Sequence, residues 1–204
     1  MSKTIDLFDP ATEDLETIQH HTVDFLGINQ YYPKRVRAPR YQWNEETPFH
    51  PERYYEVFDL PGKKMNNSRG WEIYPKIMYD IAMYLKENYH IIPWLITENG
   101  MGREHEEQYM DEKGIVQDDY RIEFIGQHLR YLIKAAEEGA NCEGYMLWAF
   151  TDCVSPMNAF KNRYGLVRIE LNDERSSRIL KKSASWYQSL IDKRELNLPN
   201  EAYK

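Results

Sequence analysis

Glu98 closes a short apolar run, Ile91-Ile92-Pro93-Trp94-Leu95-Ile96-Thr97, and is followed at once by Asn99 and Gly100. A run of this length without polar alternation suits a fully buried parallel strand. In (β/α) barrels the chemistry sits at strand C-termini, so a carboxylate here would be held by a rigid strand, with glycine permitting a sharp exit. The same pattern also suits an ordinary strand-end carboxylate facing water. Two further runs, residues 23–29 and 143–148, end comparably, in Asn29 and Tyr31 and in Trp148 and Asp152. Parallel strands deliver their C-termini to one side. An amide, a phenol, a carboxylate and an indole would then share one rim. The chain's sixteen Tyr, five Trp and seven Phe fit either a large core or a pocket that stacks on flat ligand faces, as sugar sites do.

Between these runs lie helix patterns. Pro75 stands where a first helical turn tolerates proline, and Ile77, Met78, Ile81, Ala82 and Leu85 follow as a stripe of period 3.6. Asp118 or Asp119 can cap a second helix lined by Ile122, Ile125, Leu129, Leu132, Ile133 and Ala136, which Gly139 would end. A last helix is expected over residues 179–191, after an extended segment at 163–171. Strand followed by helix, repeated, argues for an α/β fold with a parallel sheet. Residues 34–69 are polar, rich in Tyr, Pro and Arg, and aperiodic; they read as one long loop on the substrate side.

Composition narrows the function. A net charge of −7 argues against a general affinity for nucleic acid or anionic lipid. No run approaches the roughly 18 apolar residues of a membrane span, and Met1-Ser2-Lys3-Thr4 opens no apolar signal core, so a cytoplasmic location is expected. Cys142 and Cys153 match no zinc spacing and read as reduced thiols. The histidines suggest no metal site. His128 reads as a packing or capping residue, Glu104, Glu106 and Glu107 as a solvated acidic loop, and Lys181 and Lys182 as surface charges.

Four segments, taken in order, resemble a known family: Asp24-Phe25-Leu26-Gly27-Ile28-Asn29-Gln30-Tyr31-Tyr32, Ile96-Thr97-Glu98-Asn99-Gly100, Gly144-Tyr145-Met146-Leu147-Trp148 with Asp152, and Arg163-Tyr164-Gly165. Together with Lys181 to Tyr187 they are similar to successive signatures of the C-terminal part of glycoside hydrolase family 1. The resemblance implies a TIM (β/α)8 barrel, of which this chain would be about three C-terminal βα units, with residues 1–204 forming part of a single domain. It implies retaining hydrolysis of β-glycosides with Glu98 as nucleophile, Tyr31 contacting it, and Asn29 and Trp148 in the sugar site. No cofactor and no metal are implied. Asp152 reads as a structural hydrogen-bonding carboxylate.

The loop Ser155-Pro156-Met157-Asn158-Ala159-Phe160-Lys161-Asn162-Arg163-Tyr164 resembles the phospho-β-glucosidase branch, where a serine replaces the glutamate of enzymes acting on plain sugars. Ser155, Lys161 and Tyr164 are the residue types implied for a 6-phosphate. One departure stands out: that branch places its lysine two positions before the tyrosine, where this chain has Asn162. A β-glucosidase of unphosphorylated substrates is therefore the alternative. The family's second carboxylate comes from an Asn-Glu pair on an earlier strand. Neither Asn44-Glu45 nor Asn200-Glu201 has that context, and a barrel takes about 250 residues. The expectation is a chain that begins part-way through a barrel and needs an N-terminal counterpart. The competing reading is a non-catalytic, sugar-binding relic.

Overall fold

The computed structural model describes residues 11–41, 50–89 and 92–198. A helix α1 (Thr12–His20), none of whose residues is buried, precedes strand β1 (Leu26–Asn29). Two short antiparallel pairs follow, β2 (Val36–Arg37) with β3 (Glu56–Val57) and β4 (Met65–Asn66) with β5 (Trp71–Glu72). Then come α2 (Ile77–Tyr89), β6 (Trp94–Asn99), α3 (Asp119–Glu137), β7 (Cys142–Leu147), the hairpin β8 (Val167–Ile169) with β9 (Arg178–Leu180), and α4 (Lys182–Lys193). Strands β1, β6 and β7 pair in parallel in the order β1-β6-β7. These are the three strand runs read from the sequence, with β1 starting three residues later and β6 reaching Asn99. Helices α2 and α3 connect and cover them, which makes the repeated βα unit.

One face of the sheet packs on these helices. Met78, Ala82 and Leu85 of α2 and Leu132 and Ala135 of α3 close over Trp94 and Ile96 of β6, with Leu26, Ile28, Cys142 and Tyr145 at the margin. Each of the Met, Leu and Ile side chains contributes about 1.5–3 kcal/mol when fully buried. A second cluster, Met101, Phe124 and Ile125 with Leu147, Trp186 and Tyr187, ties α3 and α4 to the strand ends. The outer edges of β1 and β7 have no strand partner among the described residues.

Three expectations are corrected. The loop at 34–69 contains the β2–β3 pair and β4, and is pinned where Arg35 makes a two-point contact with Glu72. Asp118 does stand before α3, but it makes no capping bond. Its oxygens instead take the Arg121 Nε at 2.8 Å and the Ser183 N and Oγ at 2.8 and 2.6 Å, joining α3 to α4. The last helix begins at Lys182, because residues 178–180 extend the β8 hairpin. Gly139, at φ +90°, ends α3 as expected.

His128 is a packing residue with a thermodynamic consequence. Its ring lies 4.0 Å from that of Phe124, and Nδ1 is 2.7 Å from the Phe124 carbonyl, while Nε2 is buried without a partner. Burial lowers its pKa from 6.5 to about 4. The neutral ring is thus favoured on folding, and its contribution is complete above pH 6.5 and lost as pH falls towards 4. Urea unfolding at pH 7 and pH 4 should differ by roughly 3 kcal/mol from this group alone. His128→Gln should flatten that limb; an unchanged pH slope would contradict the assignment.

Candidate active site

The C-terminal ends of the three strands bring the predicted residues to one rim. Asn29 faces Glu98 across the β1–β6 pair after a register shift, and the Tyr31 hydroxyl donates to Glu98 Oε2 at 2.7 Å. Burial and the neighbouring Glu98 push the Tyr31 phenol well above its usual range, so it remains a donor. Such a bond engages one carboxylate oxygen and orients the group, leaving the other oxygen free. Asn29 accepts from Thr97 Oγ1 at 2.6 Å and is otherwise exposed on the same rim.

Asn99, which the sequence singled out only as a strand-end amide, holds the rim together. It is fully buried; its Nδ2 donates to the Gln30 carbonyl at 2.7 Å, and its Oδ1 accepts from Tyr145 Oη at 2.6 Å. One side chain at the end of β6 therefore ties the segment leaving β1 and Tyr145 of β7 together beside Glu98. Its backbone carbonyl accepts from Trp148 N at 2.8 Å. Gly100 is required by this packing, since a Cβ would lie 1.8 Å from the Trp148 carbonyl oxygen. Trp148 itself is 39% exposed at the end of β7, available as a flat apolar surface. Trp71 adds a second aromatic surface, 5.5 Å from the Tyr31 ring and stacked on Tyr32 at 4.8 Å. Trp71 carries no separate signal in the sequence, because it stands in the two-residue strand β5, which is too short to show a period.

The 155–164 loop is built on a tight turn in which Ser155 and Ala159 exchange backbone hydrogen bonds of 2.9 and 2.8 Å. Ser155 Oγ accepts from Met157 N at 3.3 Å, which leaves its hydroxyl proton free to donate elsewhere. Tyr164 is buried and packs on Gly102, where a Cβ would lie 2.4 Å from the ring. Lys161 is displaced from this group. Its side chain is 63% exposed and its ammonium lies 3.3 Å from Glu104 Oε2, in a cleft shared with Phe160, Arg163 and Arg168. Asn162 is buried and turns its Nδ2 to Glu104 at 3.4 Å.

Behind the rim is a buried ionic cluster that the sequence did not announce. Asp152 accepts from Gly165 N at 3.0 Å and from Lys181 Nζ at 2.9 Å, and pairs with Arg163 at 3.3 Å. It is structural, as expected. Glu106 and Lys181, by contrast, are not surface groups: both are buried and paired with each other, and Glu106 also binds Arg121. Arg121 donates to the Met101 carbonyl at 2.6 Å and to that of Tyr164 at 2.8 Å, joining the two segments that carry the rim. Burial lowers the Lys181 pKa, against the pull of Glu106 and Asp152. With Asp118, which also binds Arg121, three carboxylates (Asp118, Asp152 and Glu106) balance three cations (Arg121, Arg163 and Lys181). Removal of one buried member of such a set leaves a charge uncompensated. Among the described residues no cluster of His, Cys, Asp and Glu suited to a metal ion is found, and no helix is long and apolar enough to cross a membrane.

Three parallel strands with their polar ends on one rim and helices on the outer face make this chain part of a (β/α)8 barrel. It matches glycosyl hydrolase family 1 over residues 5–196, and it belongs to that family. The chain is 50% identical to the 6-phospho-beta-glucosidase GmuD of Bacillus subtilis (strain 168) over 184 residues, which cover 90% of this chain and 39% of that protein. It is 34% identical to a 6-phospho-beta-galactosidase of Staphylococcus haemolyticus (strain JCSC1435), covering 85% and 38%. The family 1 β-glucosidase from Thermotoga maritima superposes with a TM-score of 0.73 at 28% identity, over 91% of this chain and 38% of that one. The chain thus spans about two fifths of the length of the curated relatives it matches.

Proposed function

We propose that this chain supplies the nucleophile and the sugar-binding rim of a retaining β-glycosidase acting on 6-phospho-β-glucosides, within a complete barrel. The observation that carries this reading is the 2.7 Å bond from Tyr31 to Glu98 at the strand ends. Glu98, oriented by that bond, attacks the anomeric carbon as the glycosidic bond breaks, and water then hydrolyses the glycosyl-enzyme ester. The acid that protonates the leaving oxygen, and later serves as base, must stand about 5–5.5 Å from Glu98. The preceding barrel units are the proposed source of that acid. Asn44-Glu45 and Asn200-Glu201 lie outside the described residues. Trp148 forms the floor under the sugar ring and Asn29 binds a ring hydroxyl. A phosphorylated substrate fits a cytoplasmic enzyme, since a phosphate dianion does not cross a membrane unaided.

The phosphate preference rests on Ser155, whose free hydroxyl proton can donate to a phosphate oxygen where a glutamate would repel it, with Tyr164 at the end of the same loop. The two curated relatives are both named as 6-phospho enzymes, which supports the same substrate class. The test uses this sequence joined, in cis or in trans, to the preceding barrel units, with 4-nitrophenyl β-glucoside and its 6-phosphate as substrates. The phosphorylated substrate should be strongly preferred. Ser155→Glu should lower its kcat/KM by about 100-fold while shifting preference towards the plain glucoside, the size expected when a charge-assisted bond becomes a repulsion. Equal turnover of both substrates by the wild type would contradict this reading.

A further inference from the structure

We propose that Arg69 is the cation that receives the anionic substituent of the substrate, in place of the displaced loop lysine. The inference rests on the reading of this site as one for phosphorylated glycosides. The cations of the 155–164 loop are already engaged: Lys161 with Glu104, and Arg163 with Asp152. Asn162, at the position the resemblance gives to lysine, is neutral and turned towards Glu104. A dianionic phosphate would then meet hydroxyls but no free positive charge from this loop.

Arg69 is placed differently. Among the described residues it pairs with no carboxylate, and its Nε is buried with no acceptor. Its guanidinium lies 4.3 Å over the Trp71 ring. Trp71 in turn stands 5.5 Å from Tyr31, whose hydroxyl is bonded to Glu98. The turn that carries Arg69 is docked on the segment after the Glu98 strand. Asn66 Nδ2 donates to the Gly102 carbonyl at 3.0 Å, Glu104 N donates to Ser68 Oγ at 3.1 Å, and Arg69 N closes the turn on the Asn66 carbonyl at 3.1 Å. Tyr164 packs on the same Gly102. Arg69 and Tyr164 are therefore anchored to one short segment. Consistently, the Arg69 charge acts on the Tyr164 phenol, opposing the upward push of burial on its pKa.

Arginine suits this part. Its planar fork can bind a phosphate at two points, and stacking on tryptophan holds the fork in place before the ligand arrives. A phosphate on the sugar and a carboxylate on the leaving group present the same chemistry to it, and the assay separates them. The complete barrel carrying this sequence is assayed on 4-nitrophenyl 6-phospho-β-glucoside, on the plain glucoside, and on an aryl β-glucoside with a ring carboxylate. Arg69→Met should lower kcat/KM for the phosphorylated substrate by about 10- to 100-fold more than for the plain one, chiefly through KM. Arg69→Lys should recover part of that loss. Equal losses on all three substrates would mean that Arg69 merely supports Trp71, and would overturn the proposal. A selective loss in Lys161→Ala with none in Arg69→Met would overturn it too. A wild type indifferent to the 6-phosphate would refute the substrate reading instead. The carboxylate substrate then decides: a selective loss there upholds Arg69 as the anion contact, and none overturns it.

Discussion

Glu98→Gln in the complete barrel should lower kcat on the order of 10⁴-fold, as loss of an essential catalytic group commonly does. The amide keeps the shape of the carboxylate, and its oxygen can still accept from Tyr31, so the rim should survive the change. What disappears is the negative oxygen that attacks the anomeric carbon. Thermal unfolding should therefore move little while turnover collapses. A decrease of only a few fold would return Glu98 to the status of a strand-end carboxylate facing water.

The second large effect concerns the chain by itself. The 204-residue product, purified alone, should show no glycosidase activity and should self-associate or bind a hydrophobic dye. General acid catalysis is commonly worth about 10²–10⁴-fold, and the described rim offers Glu98 no second carboxylate: its side-chain partner is Tyr31. The open edges of β1 and β7 invite pairing with other chains. Large apolar groups beside them are uncovered, with Phe25 58%, Phe150 72% and Ile191 60% exposed. Addition of the preceding barrel units should restore solubility and activity together. A cooperatively melting monomer that hydrolyses an aryl phosphoglucoside unaided would contradict this expectation.

The strands were legible because their runs are short and almost free of polar residues, and the polar residues that follow mark the rim. Full burial did not hold, since β6 mixes buried and half-buried positions and β1 and β7 carry exposed ones. Helices α2 and α3 were legible from period. Charge was misread where tertiary pairing overrides it. Glu106 and Lys181 look like surface residues in isolation, and only the fold brings them together, 75 positions apart, beside Arg121. Asp118 shows the same limit: its type suits a helix cap, yet a buried arginine competes successfully for its oxygens. In the 155–164 loop the residue types were readable but their directions were not, because neighbouring side chains in an irregular segment can point apart. Lys161 turned to Glu104 in that way. Trp71 and Arg69 gave no signal, since an aperiodic segment does not disclose which of its residues will dock beside Glu98.

The most direct test of the central claim is covalent. A 2-deoxy-2-fluoro aryl β-glucoside 6-phosphate should slow hydrolysis of the glycosyl-enzyme enough to trap it in the complete barrel, and peptide mass spectrometry would locate the sugar. The prediction is a single adduct on Glu98, abolished in Glu98→Gln; an adduct on Asp152, on Glu72 or on any other carboxylate would contradict it.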